Sequence, residues 1–195
     1  MTSCMSDRAT DKFWRGIALG CGTELAPWLR DRGSLTQRIQ QRCHHFSVRG
    51  VRSGLALIAP DESALLGTAP QQLAWSREVF LYADDQPVVF AHSALAPEHL
   101  RGAWSAVRTL GNKPLGALLF AHPLVKRNPL HYQALRNTHP LYQRATKVLH
   151  SESHNTDGTQ VHRLWARRSL FYLHDAPLLV TEVFLPGILL LADPA

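Results

Sequence analysis

Two ionisable residues stand where a folded chain normally places apolar ones. Arg77 lies between Trp75 and Val79, and the alternation of side chains along an extended segment puts all three on one face. Glu182 is in line with Leu178, Val180 and Phe184. Burying an unpaired charge is costly, so a guanidinium on an apolar face needs an anion, and a carboxylate there needs a cation or a donor. Arg77 therefore suits a ligand carboxylate, and Glu182 poses the mirror problem. The competing reading is that the two neutralise each other or point outward.

Two main-chain groups add to this set. Pro114 is a helix-opening residue, so the N–H of Leu115 has no acceptor within its own helix and lies at the positive end of the dipole. Leu35 holds the same position behind Ser34, the first residue of a Ser-x-x-Gln capping pattern. Helix starts accept carboxylates readily, although most hold only water. One buried arginine and two helix starts together suit a small ligand with carboxylate groups.

Other chemistry finds less support. The cysteines, Cys4, Cys21 and Cys43, are odd in number and form no C-x-x-C, which argues against a disulfide framework or a zinc site and fits a reducing cytoplasm. His44 and His45 end a helix, where a cation is favoured. His131, His139, His150, His154 and His162 crowd one polar segment without a His-x-x-x-His and acid pattern, so no metal or other cofactor is expected. No nucleophile elbow, phosphate loop or dinucleotide fingerprint is present. The pair Arg167-Arg168 beside Trp165 is too small a basic cluster to imply nucleic acid. The formal net charge of +6 comes from 17 Arg and 4 Lys against 15 acids, and reads either as attraction for an anionic partner or as codon bias toward arginine.

The elements that must position these groups are legible in outline. A chain of 195 residues, 45% hydrophobic and 18% charged, makes one domain with a substantial core. Residues 1–25 lack a period and read as a loosely ordered N-terminal arm, leaving 26–195 as a single domain. The apolar run Gly16 to Cys21 is too short for a signal h-region, and no window of about 18 apolar residues suggests a membrane span. A short helix is expected from Ser34 to about Arg42, and one or two strands over 45–58, interrupted by Gly50 and Gly54. One hairpin is predicted from Leu73–Ala83 and Val88–Ala94 with a turn at Asp84–Pro87, and another from Val161–Leu173 and Leu178–Leu185 with a turn at His174–Pro177. Between them, helices are expected from Pro97 to Leu110, stopped by Gly111, and from Pro114 through Phe120. Two more are expected over Pro129–Asn137 and Leu141–Leu149, followed by a polar loop around Asn155–Gly158. Strands that come in hairpins make the class α+β with a single antiparallel β-sheet.

The chain resembles the chorismate pyruvate-lyases over about Pro27 to Pro186. The resemblance rests on Ser34-Leu35-Thr36, on Arg77-Glu78-Val79 followed by Asp84-Asp85-Gln86-Pro87, and on Gly111-Asn112-Lys113-Pro114-Leu115-Gly116. It continues through Arg167-Arg168-Ser169 and Leu179-Val180-Thr181-Glu182-Val183-Phe184-Leu185-Pro186. Two departures stand out: His92 occupies a position where the family pattern has an arginine, and the segment from about His122 to His162 is longer than that pattern.

The resemblance implies an antiparallel sheet with helices covering an enclosed ligand cavity. It also implies a carbon–oxygen lyase that converts chorismate to 4-hydroxybenzoate and pyruvate at the first committed step of ubiquinone biosynthesis, without a cofactor. Arg77 matches the arginine that holds the ring carboxylate, Glu182 the carboxylate that meets the ring hydroxyl, and Leu35 and Leu115 the two backbone contacts. Aromatisation drives the reaction, so the protein's task is positioning and charge placement. The hydrogen passes either within the substrate to the enolpyruvyl methylene or through a base. A monomer is expected, because a closed-over cavity needs no partner chain, and so is the absence of nucleic acid as a partner. The alternative is a non-catalytic sensor of aromatic acids, as in the ligand domains of GntR-type repressors. Those domains follow a DNA-binding winged helix, for which the segment before Ser34 is too short.

Overall fold

The computed structural model describes residues 13–152 and 162–192; the polar loop expected around Asn155–Gly158, and Cys4, lie outside them. Seven strands form one antiparallel sheet: β1 (Phe46–Leu57), β2 (Leu73–Ala83), β3 (Gln86–Leu95), β4 (Lys126–Arg127), β5 (His131–Arg136), β6 (Arg163–Leu173) and β7 (Ala176–Phe184). Their order is β1-β2-β3-β7-β6-β4, with β5 also paired to β6. The helices are α1 (Ala26–Arg30), α2 (Leu35–Gln40), α3 (Pro60–Leu66), α4 (Leu115–Ala121) and α5 (Pro140–Glu152). The α+β class with a single antiparallel sheet is as the hairpin pattern predicts.

Both hairpins form, but their turns are two residues long rather than four. Asp84 and Asp85 have φ of 47° and 67°, and His174 and Asp175 have 48° and 62°. Two successive left-handed residues match the twist of the flanking strands, and Asp tolerates that region better than most side chains. Pro87 and Pro177 therefore lie inside strands, opposite Tyr82 and Tyr172.

Two expected helices are replaced. Residues 131–136 form β5 instead of a helix, because they pair with Arg163–Arg168 and bury Tyr132 and Leu135. The stretch from Pro97 is two 3-10 helices, Pro97–Arg101 and Ser105–Thr109. Gly102, at φ −118° and ψ −120°, breaks the helical path between them. The same apolar face still reaches the core through Leu100, Trp104 and Val107, and Trp104 Nε1 donates to Ala176 O at 3.0 Å.

The sheet is covered on both sides. On one, α1 and α2 pack Trp28, Leu29, Leu35 and Ile39 against Val79 and Leu81, while Leu115 and Leu119 of α4 pack near Trp75 and Phe171. On the other, Leu141, Tyr142 and Ala145 of α5 meet Phe90, Ala166 and Val183, and Leu66 of α3 meets Ala94 and Leu179.

That second side carries a buried charge cluster. His92 Nδ1 is 3.2 Å from Glu78 Oε1, and its Nε2 is 3.3 Å from Glu62 Oε1, a charge contact off the line of a hydrogen bond. Arg144 Nε reaches Glu78 at 2.9 Å, and Arg168 Nη1 reaches Asp61 at 2.6 Å. Burial alone would lower the pKa of His92, but the two carboxylates overcome it and raise the value to about 9. Burial would raise Glu62 and Glu78, but His92 and Arg144 hold both below the ordinary range.

A histidine whose pKa rises on folding adds stability that is complete below its unfolded value near 6.5 and lost as pH climbs through about 9. The contribution is on the order of 3 kcal/mol. Urea unfolding should show stability falling from neutral pH to about pH 9.5, and His92→Gln should be less stable at pH 7 and nearly flat over that window. An equal fall in the variant would assign the loss to another group.

Candidate active site

The first side of the sheet sets its polar residues in two adjacent rows. Cross-strand register aligns Arg77, Ser93, Val180 and Ser169 in one row, and Val79, Ala91, Glu182 and Arg167 in the next. Arg77 and Glu182 thus stand two strands and one row apart, roughly 12 Å between backbones from standard sheet spacings. Both side chains face the same cavity. Leu35, Thr36, Leu115, Gly116, Leu119 and Phe120 roof the cavity between them.

Arg77 is 3% exposed and stands on the apolar face of β2, as the alternation predicts. Its Nη2 donates to Gly111 O and Lys113 O, both at 2.9 Å. Nε and Nη1 have no acceptor among the described residues. Burial pushes the Arg77 pKa down and no carboxylate opposes it. The two carbonyls also explain the Gly-Asn-Lys-Pro segment. Gly111, at φ +53°, makes the left-handed turn that points its carbonyl at Arg77, and Pro114 then caps α4.

Glu182 does not pair with Arg77. It takes Arg167, directly opposite on β6, whose Nε donates to Glu182 Oε2 at 2.5 Å. Arg167 is 1% exposed, and its Nη1 also donates to Trp28 O (2.9 Å), Leu29 O (3.3 Å) and Asp31 O (2.7 Å). These are carbonyls at the C-terminal end of α1, the negative end of its dipole. Arg167 therefore fixes α1 and holds Glu182 by a charge-assisted bond. Glu182 Oε1 has no donor among the described residues, so one oxygen remains for a ligand.

The two helix starts fall where the caps predict. Ser34 Oγ accepts the Gln37 N–H at 3.3 Å and α2 begins at Leu35; α4 begins at Leu115. Both residues line the cavity. Gly116 allows the two starts to meet, since a Cβ there would stand 3.0 Å from Thr36 Oγ1 and 3.5 Å from Ser34 Oγ.

The structure thus brings Arg77, Glu182, Leu35 and Leu115 around one cavity. It adds Arg167 and Arg127, which the sequence reading did not place in a site. His92 faces the opposite side of the sheet, and its neighbours Ala91 and Ser93 line the cavity instead. Among the described residues, no three His, Cys, Asp or Glu side chains converge as a metal would require.

The sequence model of the chorismate lyase family matches residues 21–191. The chain belongs to the chorismate lyase family. A probable chorismate pyruvate-lyase of Nitrosospira multiformis is 52% identical over 166 residues, 85% of this chain and 88% of that one. Another, from Nitrosomonas europaea, is 45% identical over 175 residues, 90% and 94% of the two chains. Among solved structures, the C-terminal domain of PhnF has a TM-score of 0.52 at 12% identity, covering 78% of this chain and 87% of that one. The C-terminal domain of the histidine utilization repressor of Pseudomonas syringae gives 0.51 at 12%, covering 73% and 93%. At such identity the likeness to regulator domains is one of fold. Among the described residues, no helix is long and apolar enough to cross a membrane.

Proposed function

We propose that the chain cleaves chorismate to 4-hydroxybenzoate and pyruvate in this cavity. The observation that carries the reading is Arg77, a buried cation with no carboxylate partner among the described residues and with Nε and Nη1 unengaged there. In this reading Arg77 takes the ring carboxylate, with the Leu35 and Leu115 amides assisting, and Glu182 Oε1 accepts the ring hydroxyl. The enolpyruvyl ether bond breaks at the carbon beside the hydroxyl-bearing one, which gives up its hydrogen. The ring becomes aromatic, and enolpyruvate plus that hydrogen is pyruvate.

The chain's residues orient rather than activate. Among the described residues, Glu182 is the one carboxylate in the lining and is already engaged by Arg167, while His92 lies across the sheet. This supports hydrogen transfer within the substrate, from the hydroxyl-bearing carbon to the enolpyruvyl methylene. Chorismate deuterated at that carbon should then give pyruvate with deuterium in its methyl group; solvent hydrogen there instead would indicate a base. The thiols Cys21 and Cys43, unpaired among the described residues, fit a reducing cytoplasm.

Turnover tests the function directly. Purified protein mixed with chorismate should release 4-hydroxybenzoate, read by absorbance, and an equal amount of pyruvate, read by a coupled assay. Tight binding of 4-hydroxybenzoate without any pyruvate would make the chain a sensor instead. The close approach of the helix starts has its own consequence. Gly116→Ala should weaken 4-hydroxybenzoate binding roughly tenfold, the scale of one displaced hydrogen bond to a charged group. Unchanged affinity by titration would remove the two amides from the site.

A further inference from the structure

We propose that Arg127 binds the second, enolpyruvyl carboxylate of the substrate. The inference rests on the reading that the ring lies between Arg77 and Glu182. Among the described residues, three arginines and one carboxylate line the cavity: Arg77, Arg127, Arg167 and Glu182. Arg167 and Glu182 neutralise each other at 2.5 Å. Two cations remain uncompensated, and the substrate is a dianion. Arg77 answers one of its carboxylates, which leaves Arg127 for the other.

The setting of Arg127 is that of a held binding group. Its backbone is fixed by pairing of β4 with Phe171 on β6. Its guanidinium carbon stands 5.2 Å from the Phe171 ring centre and 5.6 Å from that of Phe120, two faces that favour a cation. Nη1 donates to Arg32 O at 2.9 Å, while Nε is buried with no partner. Burial pushes the Arg127 pKa down, against the pull of Glu182, so the group gains from a nearby anion.

The position fits the substrate. Arg127 and Arg167 donate to successive carbonyls, Arg32 O and Asp31 O, which draws the Arg127 head to the end of the cavity where Arg167 holds Glu182. In chorismate the ether oxygen sits on the ring carbon next to the hydroxyl-bearing one. A ring with its hydroxyl on Glu182 therefore projects its enolpyruvyl group from that same end. The product 4-hydroxybenzoate keeps the ring carboxylate and lacks the second one.

This asymmetry gives the test. Arg127→Gln should raise KM for chorismate by roughly thirtyfold or more, on the scale of a lost charge-assisted contact. Its inhibition constant for 4-hydroxybenzoate should change less than about threefold, which also reports that the cavity is folded. Arg127→Lys, which keeps the charge, should recover part of the loss and serves if the glutamine variant is unstable. Equal weakening of substrate and product, or no change in either, would overturn the assignment. Arg77→Gln is the control for the underlying reading and should weaken both ligands. If Arg77→Gln spared the product while Arg127→Gln still discriminated, the ring placement would fail and the role of Arg127 as a second-carboxylate site would stand.

Discussion

Arg77→Ala is expected to lower kcat/KM for chorismate by roughly a thousandfold, about 4 kcal/mol of lost transition-state binding. Two losses combine in it. The substrate carboxylate loses its buried cation, and the carbonyls of Gly111 and Lys113 lose the donor that fixes the turn before α4. The second loss moves the Leu115 amide, so the effect should exceed that of either amide alone. Arg77→Lys keeps the charge but cannot serve two carbonyls and a carboxylate in one plane, and it should recover only part of the activity. Steady-state rates, with a thermal melt to confirm folding, check the result. Rates near those of the unmodified protein would remove Arg77 from the site.

Glu182→Gln should cost about a hundredfold in kcat/KM and weaken 4-hydroxybenzoate binding, because it discharges the Arg167 pair inside the cavity. The variant leaves Arg167, 1% exposed, without its counter-charge. Arg167→Gln should do comparable damage from the other side and also release the end of α1, where Arg167 meets three carbonyls. Since the two act as one unit, the double variant should lose far less than the product of the single effects. Simple multiplication of the two losses would show that the pair is not coupled.

Much of this arrangement is written in local patterns. The isolated arginine on the apolar face of β2 and the caps at Ser34 and Pro114 mark three site groups without reference to a partner strand. Alternation marks both hairpins, and hence the antiparallel sheet. What local pattern does not carry is pairing. A four-residue turn at His174–Pro177 sets Leu173 opposite Leu178 and puts Arg167 out of line with Glu182. The actual two-residue turn sets Leu173 opposite Ala176, and Arg167 then falls directly across from Glu182. The Asp at the second turn position, able to adopt positive φ, was the available signal.

The same dependence on distant neighbours explains β5 and Arg127. Residues 131–136 have too few apolar positions to announce a strand, and they become one because β6 offers an edge there. Arg127 is one of several basic residues in a polar stretch until two residues of β4 pair with β6 and turn it onto Phe171. His92 shows the reverse case. It stands where the family pattern has an arginine, and strand parity sends it to the face opposite the cavity, where Glu62 and Glu78 receive it.

The central claim is that one ring lies between Arg77 and Glu182 under the starts of α2 and α4. A crystal structure with bound 4-hydroxybenzoate tests it most directly. The account predicts the product carboxylate on Arg77 and on the amides of Leu35 and Leu115, with the hydroxyl against Glu182 Oε1. A product bound with its carboxylate toward Arg167, or outside this cavity, would contradict it.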